Sequence, residues 1–165
     1  MKKEVLALAL FIVWIVGCNS TLKAAAIREK EMNDKSASNF SDVTGKEWKL
    51  IEVRINDSGV GFNRDILIRE GVDQFFTVNF DTDIVSGTGA PNLYSAPYTT
   101  GDNHSISIAI MRSTMMASFF QLENFTEHDF FTFMHNSHEW RLVNNNLELR
   151  SKTADGSAAL LVFSL

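Results

Sequence analysis

Apolar and polar residues alternate in short bursts along most of this chain, separated by glycine- and asparagine-rich breaks, which is the pattern of strands rather than long helices. "SISIAIM" is the clearest burst: Ile106, Ile108 and Ile110 are expected to face inward and Ser105, Ser107 and Ala109 outward. "FFTVNF" sets Phe76, Val78 and Phe80 in the same alternation. In "EWKLIEVRI", Trp48 and Leu50 fall on one side and Val53 and Ile55 on the other, which calls for a bulge or twist near Ile51. Two hairpins are expected at the end of the chain. "WRLVNNNLELRS" turns at residues 144–146, and "SKTADGSAALLVF" turns at Asp155 and Gly156, a pair that favours a type I′ turn.

Only "NFTEHDFFTFMHNSH" reads as a well-specified helix. Thr126 is a natural N-cap with Asp129 three residues on, and Phe125 and Phe130 stand where a hydrophobic staple would. Phe130, Phe133 and Met134 then share one helical face, and the helix is expected to stop at Asn136 and Ser137.

The first residues break the alternation. Lys2 and Lys3 precede an unbroken apolar run over residues 5–16, then Gly17 and Cys18. A dozen apolar residues falls well short of the roughly 20 that span a bilayer, so residues 1–17 read as a secretory signal. "IVGC" resembles a bacterial lipobox, which makes Cys18 the lipid-bearing first residue of the mature chain. Cys18 is the sole cysteine, so the mature body is expected to hold no free thiol and no intramolecular disulfide. Bacterial lipoproteins carry more than one acyl chain, which anchors firmly. Asn19, rather than an aspartate, follows the cysteine, and the sorting rule for such proteins then favours the outer membrane, facing the periplasm.

Residues 18–44 are polar and charged, with few large apolar side chains, and are expected to form a flexible tether with an end-to-end distance of roughly 25–30 Å. Residues 45–165 are the right length for one domain. Losing residues 1–17 removes two lysines and one glutamate, so the net charge of −5 becomes −6. An acidic body argues against nucleic acid as a partner and against lying flat on anionic lipid.

Candidate chemistry is sparse. Of His104, His128, His135 and His138, only the last two are close, and their spacing straddles the expected helix end with no carboxylate at a zinc-ligand offset. "SGTG" lacks the flanks of a nucleophile elbow, and no helix start or lysine follows Gly87 and Gly89 to make a phosphate loop. Asp81 and Asp83 are more simply turn residues than paired acids. No metal, no cofactor and no catalytic set are expected.

"SGTGAPNLYSAPY", read as a loop that holds both prolines of the chain, and the later "RSTMMAS" resemble the two motifs of the META domain family, of the heat-shock-associated HslJ type. Gly87, Asn92, Tyr94, Tyr98, Thr114, Met116 and Ala117 fall on those motifs, and Glu127 on the glutamate that opens the family's helix. Trp48 and Leu50 match its first strand, and "NNNLELRS" and "AALLVF" its last two. The family's two cysteines are replaced by Pro91 and Ser118, which is how a lost disulfide would read, and a later glycine is Ala96. Pro91 and Pro97 then either stiffen a loop that relatives staple, by about 0.4–1 kcal/mol each against 2–4 for a disulfide, or reflect drift in a turn.

The resemblance implies an α+β fold, a mostly antiparallel curled sheet or small barrel with one packed helix. It also implies a non-enzymatic envelope protein tied to stress or antibiotic tolerance. Gly87, Asn92, Tyr94 and Tyr98 become a candidate binding loop, Thr114, Met116 and Ala117 its supporting motif, and another envelope protein the expected partner. The alternative is a carrier of an apolar ligand such as a lipid, since thirteen phenylalanines could line a cavity in a small barrel. Hydrolase activity is a distant third.

Overall fold

The computed structural model describes residues 39–60, 62–117, 122 and 124–165, and these form ten strands, two α-helices and two single-turn 3₁₀ helices at Phe40–Asp42 and Asp102–His104. The expected signal peptide, Cys18 and residues 18–38 of the expected tether lie outside the described residues. The strands are β1 (Glu47–Ile55), β2 (Ser58–Gly59), β3 (Thr77–Phe80), β4 (Ile84–Thr88), β5 (Leu93–Thr100), β6 (Ile106–Ile108), β7 (Arg112–Ser113), β8 (Glu139–Val143), β9 (Asn146–Lys152) and β10 (Ala158–Ser164). The helices are α1 (Arg64–Arg69) and α2 (Glu127–His135).

Every ladder is antiparallel, in the order β6-β5-β4-β3-β1-β10-β9-β8, with β2 added to β1 and β7 to β5. The two ends meet through a bridge between Ser105 and Glu139, and Ile106 N–H donates to His138 O at 3.1 Å. The sheet is therefore a nearly closed barrel, which removes most of the edge an open sheet would expose. Its interior is filled with aromatic rings: Phe76 meets Phe62, Phe125 and Phe130 at 5.7, 5.3 and 5.5 Å between centroids. Phe76 itself has φ 55°, a conformation bulky residues avoid, held because its N–H donates to Gly89 O and its C=O accepts from Leu50 N–H.

Helix α2 has the expected capping box. Thr126 Oγ1 accepts from Asp129 N–H, and Asp129 accepts in return from Thr126 N–H. Phe130, Phe133 and Met134 are buried, and Asn136 caps the C-terminus. The bulge in β1 falls between Leu50 and Glu52, as expected, and its effect is to bring Val53 to the core side with Trp48 and Leu50 rather than to the opposite one.

Several expectations are corrected. A second helix, the six-residue α1, was not anticipated; Asn63 caps it and Gly71, at φ 71°, ends it. Residues 39–44 belong to the fold and not to a tether. Phe40 packs its ring on Phe80 and Trp140 at 5.3 and 4.9 Å, and buried Val43 accepts a hydrogen bond from Trp48 Nε1. The last hairpin is not a type I′ turn. Only Gly156 has positive φ; its N–H returns to Thr153 O and Thr153 N–H donates to Ser157 O, so the connection is a longer loop over residues 153–157, a four-residue turn ending in a left-handed glycine. The Asn144–Asn145 turn, with φ of 51° and 65°, does have the primed geometry. Ile110 points into solvent and not into the core.

Arg64 fastens α1 to the barrel. Its largely buried guanidinium donates to Leu50 O at the β1 bulge (3.2 Å), to Phe75 O (2.8 Å), and to the main chain and carboxylate of Asp73, which also pairs with Lys49. Replacing Arg64 by Met removes the guanidinium's hydrogen bonds to Leu50 O, Phe75 O and Asp73 and is expected to cost about 2–4 kcal/mol in urea unfolding. The Lys49 hydrogen bond, with Arg64 beside it, holds the Asp73 carboxyl below the usual range. A depressed carboxylate stabilises fully above its unfolded pKa and less as pH falls through its folded one. Stability should therefore drop below about pH 4, and Asp73→Asn should lose less of it over that window than the native chain does.

Candidate functional site

The stretch read as a proline-bearing loop is a hairpin. β4 and β5 pair from Ile84–Pro97 to Thr88–Leu93, and only residues 89–92 turn, closed by Gly89 N–H on Asn92 O at 2.6 Å. Pro97 lies within β5, its C=O accepting from Ala109 N–H, while Pro91 sits in the turn with a cis peptide to Ala90. Alternation along β5 sends Tyr94, Ala96 and Tyr98 inward and leaves Leu93, Ser95 and Pro97 outside.

Both tyrosines are therefore interior groups. Tyr94 Oη donates to Thr77 O at 2.8 Å and Tyr98 Oη to Asp81 O at 2.5 Å. Burial pushes the Tyr94 phenol far up, and burial with the charges of Asp81 and Asp83 raises that of Tyr98, so both remain protonated donors. Gly87 is dictated by the same contact: a Cβ there would lie 2.1 Å from Thr77 O and 3.0 Å from Tyr94 Oη.

Asn92 and Glu127 form the centre of the motif. The first residue of α2 points its carboxylate at the hairpin turn. Glu127 Oε1 accepts from Ala90 N–H (2.5 Å) and Asn92 N–H (2.8 Å), and Oε2 from Asn92 Nδ2 (2.6 Å). These are charge-assisted bonds to main chain and amide, the stronger kind. The other end of the Asn92 side chain faces the second motif. Asn92 Oδ1 accepts from Met116 N–H (2.6 Å) and Thr114 Oγ1 (2.9 Å), Nδ2 also reaches Met116 O (3.4 Å), and Thr114 Oγ1 accepts from Leu93 N–H. The carboxamide thus stands in for a peptide group, bonding Met116 in both directions as a neighbouring strand would.

Of the residues expected at the site, Asn92, Thr114 and Met116 come together at this centre, with Ala117 exposed just beyond it. Gly87, Tyr94 and Tyr98 hold the hairpin to β3 instead. Gly89 has a structural role that its place in the sequence does not suggest. A Cβ on it would meet Glu127 Oε1 at 2.4 Å and Phe131 Cζ at 2.8 Å, so only glycine lets the helix end approach the turn this closely.

The histidines are dispersed. His135 Nδ1 lies 2.9 Å from Ile108 O, and His104 stacks edge-on against Trp140 at 4.7 Å. Among the described residues no three His, Cys, Asp or Glu side chains converge as metal ligands. The open clefts formed by described residues include two at the surface. One of about 250 Å³ is rimmed by Arg54, Arg150 and Lys152, and one of about 370 Å³ lies between α2 and the β9–β10 turn.

The META domain profile matches residues 41–163, and the chain belongs to that family. No curated protein matches it in sequence. Solved structures that share the fold include the following two. The crystal structure of a DUF4847 family protein from Bacteroides vulgatus superposes with a TM-score of 0.53 at 10% identity, covering 76% of this chain and 95% of that one. The NMR structure of a protein from Burkholderia xenovorans gives 0.52 at 14% identity, covering 75% and 85%.

Glu127→Gln sets an amide against three donors that need an acceptor and is expected to destabilise by about 2–3 kcal/mol; Gly89→Ala is expected to lose about 1–3 kcal/mol by overpacking. Combined with Asn92→Ala in a double-mutant cycle, Glu127→Gln should show a coupling above about 0.5 kcal/mol. Additive losses by urea denaturation would mean the two side chains act separately.

Proposed function

We propose that this META domain is the working part of a non-enzymatic lipoprotein of the bacterial cell envelope, held by acylated Cys18 at the outer membrane on its periplasmic side. In this reading the domain is a protein- or peptide-binding module that supports envelope integrity under stress or antibiotic challenge. Its partner is another envelope protein, and it uses no cofactor.

The observation that carries the reading is the division of labour around Asn92. The polar side chains of the motif, Glu127, Asn92 and Thr114, are engaged with one another and with the main chain, so they position the hairpin and α2. Beside them, Leu93, Met115 and Met116 stay in water. A rigid frame bearing exposed apolar groups suits contact with another polypeptide. The packed aromatic interior favours this over the carrier of an apolar ligand, which needs an empty barrel. The lipobox and the basic-then-apolar leader support the anchor.

Cells fed radiolabelled palmitate are expected to mark the native chain and not Cys18→Ser, and the serine form should leave the membrane fraction. An unmarked native chain, or a serine form that stays on the membrane, removes the anchor. A lipid adduct on the envelope-purified domain in native mass spectrometry would favour the carrier instead.

A further inference from the structure

The strand after the second β5 partner leaves one stretch of the barrel's rim unpaired. β6 and β7 run along the same side of β5, with Ile106 opposite Thr100 and Ile108 opposite Tyr98. Then, one residue out of step, Arg112 stands opposite Ser95 and Ser113 opposite Tyr94. The extra residue is a bulge, and it is what turns Ile110 outward against the strict alternation of its sequence. On the β6 side of the bulge the rim is sealed by the Ser105–Glu139 bridge and by His135 at Ile108 O.

Beyond the bulge it is open. Thr114 N–H donates to Leu93 O, and Met116 N–H to Asn92 Oδ1. Because antiparallel bonding alternates, the N–H and C=O of Ser113 and Met115 point away from β5. Among the described residues no hydrogen bond takes them up. Flanking apolar side chains are strongly exposed: Met115 at 100%, Ile110 at 78%, Leu93 at 59% and Met116 at 56%. Arg112 is the one charged residue in positions 109–117; it is exposed, and no described carboxylate pairs with it.

We propose that residues 110–116 receive an extended segment of a partner polypeptide as an added β-strand, apolar at alternate positions and carrying an acidic side chain set against Arg112. This rests on the binding-module reading and names the place and chemistry of the contact. Outward N–H and C=O groups repeating every second residue fit an extended chain and no other secondary structure. A second copy of this chain is the poorer occupant. Its edge offers no carboxylate to Arg112, and pairing centred on Ser113 would place the two Arg112 side chains as diagonal neighbours on one face, about 7–8 Å apart.

The test uses the lipidated full-length chain in lipid nanodiscs, with hydrogen exchange read over residues 109–117. Three blocked peptides serve as probes: an alternating valine–threonine peptide with a central glutamate, its twin with a central lysine, and a twin of the glutamate peptide N-methylated at every bond, so that neither edge can donate. At about ten times its Kd the glutamate peptide should slow exchange in this segment about ten-fold. The lysine twin should protect several-fold less at equal concentration, and the methylated one not at all. Equal protection by all three, or none by any, overturns the proposal. Concentration-dependent protection without peptide overturns it in favour of a second copy.

Ser113→Pro removes one outward donor without touching a bond to β5 and should abolish protection. Should that variant fail to fold, Arg112→Glu should invert the preference between the glutamate and lysine twins. A partner crosslinked in intact cells that holds the Arg112→Glu and native chains equally well leaves the module reading standing and removes this edge from it. Loss of palmitate labelling leaves the edge untouched.

Discussion

One carboxylate joins the barrel wall to the helix that packs against it. A charged oxygen pair placed beside a main-chain turn needs donors, and Glu127 finds three of them on the hairpin between β4 and β5. The position of α2 and the shape of that turn are therefore one constraint. From there it propagates outward: Asn92, held at one end by Glu127, uses its other end to extend the ladder past the end of β5 and pin Met116. Helix, hairpin and rim thus share one hydrogen-bonded centre, with Gly89 kept bare so that the parts can meet.

A second fastening works on the opposite principle. Arg64 is a buried cation whose partners are mostly main-chain carbonyls, at the β1 bulge and ahead of β3. Bulges recur as the means by which this barrel departs from regularity. The one in β1 gathers Trp48, Leu50 and Val53 to the interior, while the one before β7 expels Ile110.

What was legible in the sequence was local. The α2 cap, its aromatic face and its C-terminus depend on residues within a few positions of each other, and the β1 bulge showed as a break in alternation. The META motifs marked the hairpin and the rim before either could be placed. The failures were non-local or short. Ile110 keeps perfect alternation in sequence, and only pairing with β5 reveals the extra residue. Two prolines and nearby glycines made β5 look like a loop, although Pro97 fits a strand whose ladder does not need its missing N–H. Phe40 and Val43 are lone apolar residues in a polar stretch, too few to outweigh its composition. The six-residue α1 offered only Asn63 and Gly71 as end signals. Gly89 and Glu127 lie too far apart along the chain for spacing to hint that they touch.

The bare α-carbon of Gly89 bears on how this lineage can diverge. Any side chain there displaces Glu127, and any shortening of Glu127 strands the donors at residues 90 and 92, so neither position can wander alone under purifying selection. The outward side chains of the rim, Ile110, Arg112 and Met115, meet mostly water and carry no such bond. Paralogues descended from one ancestor are thereby free to acquire different tastes at the rim while inheriting the same knot beneath it.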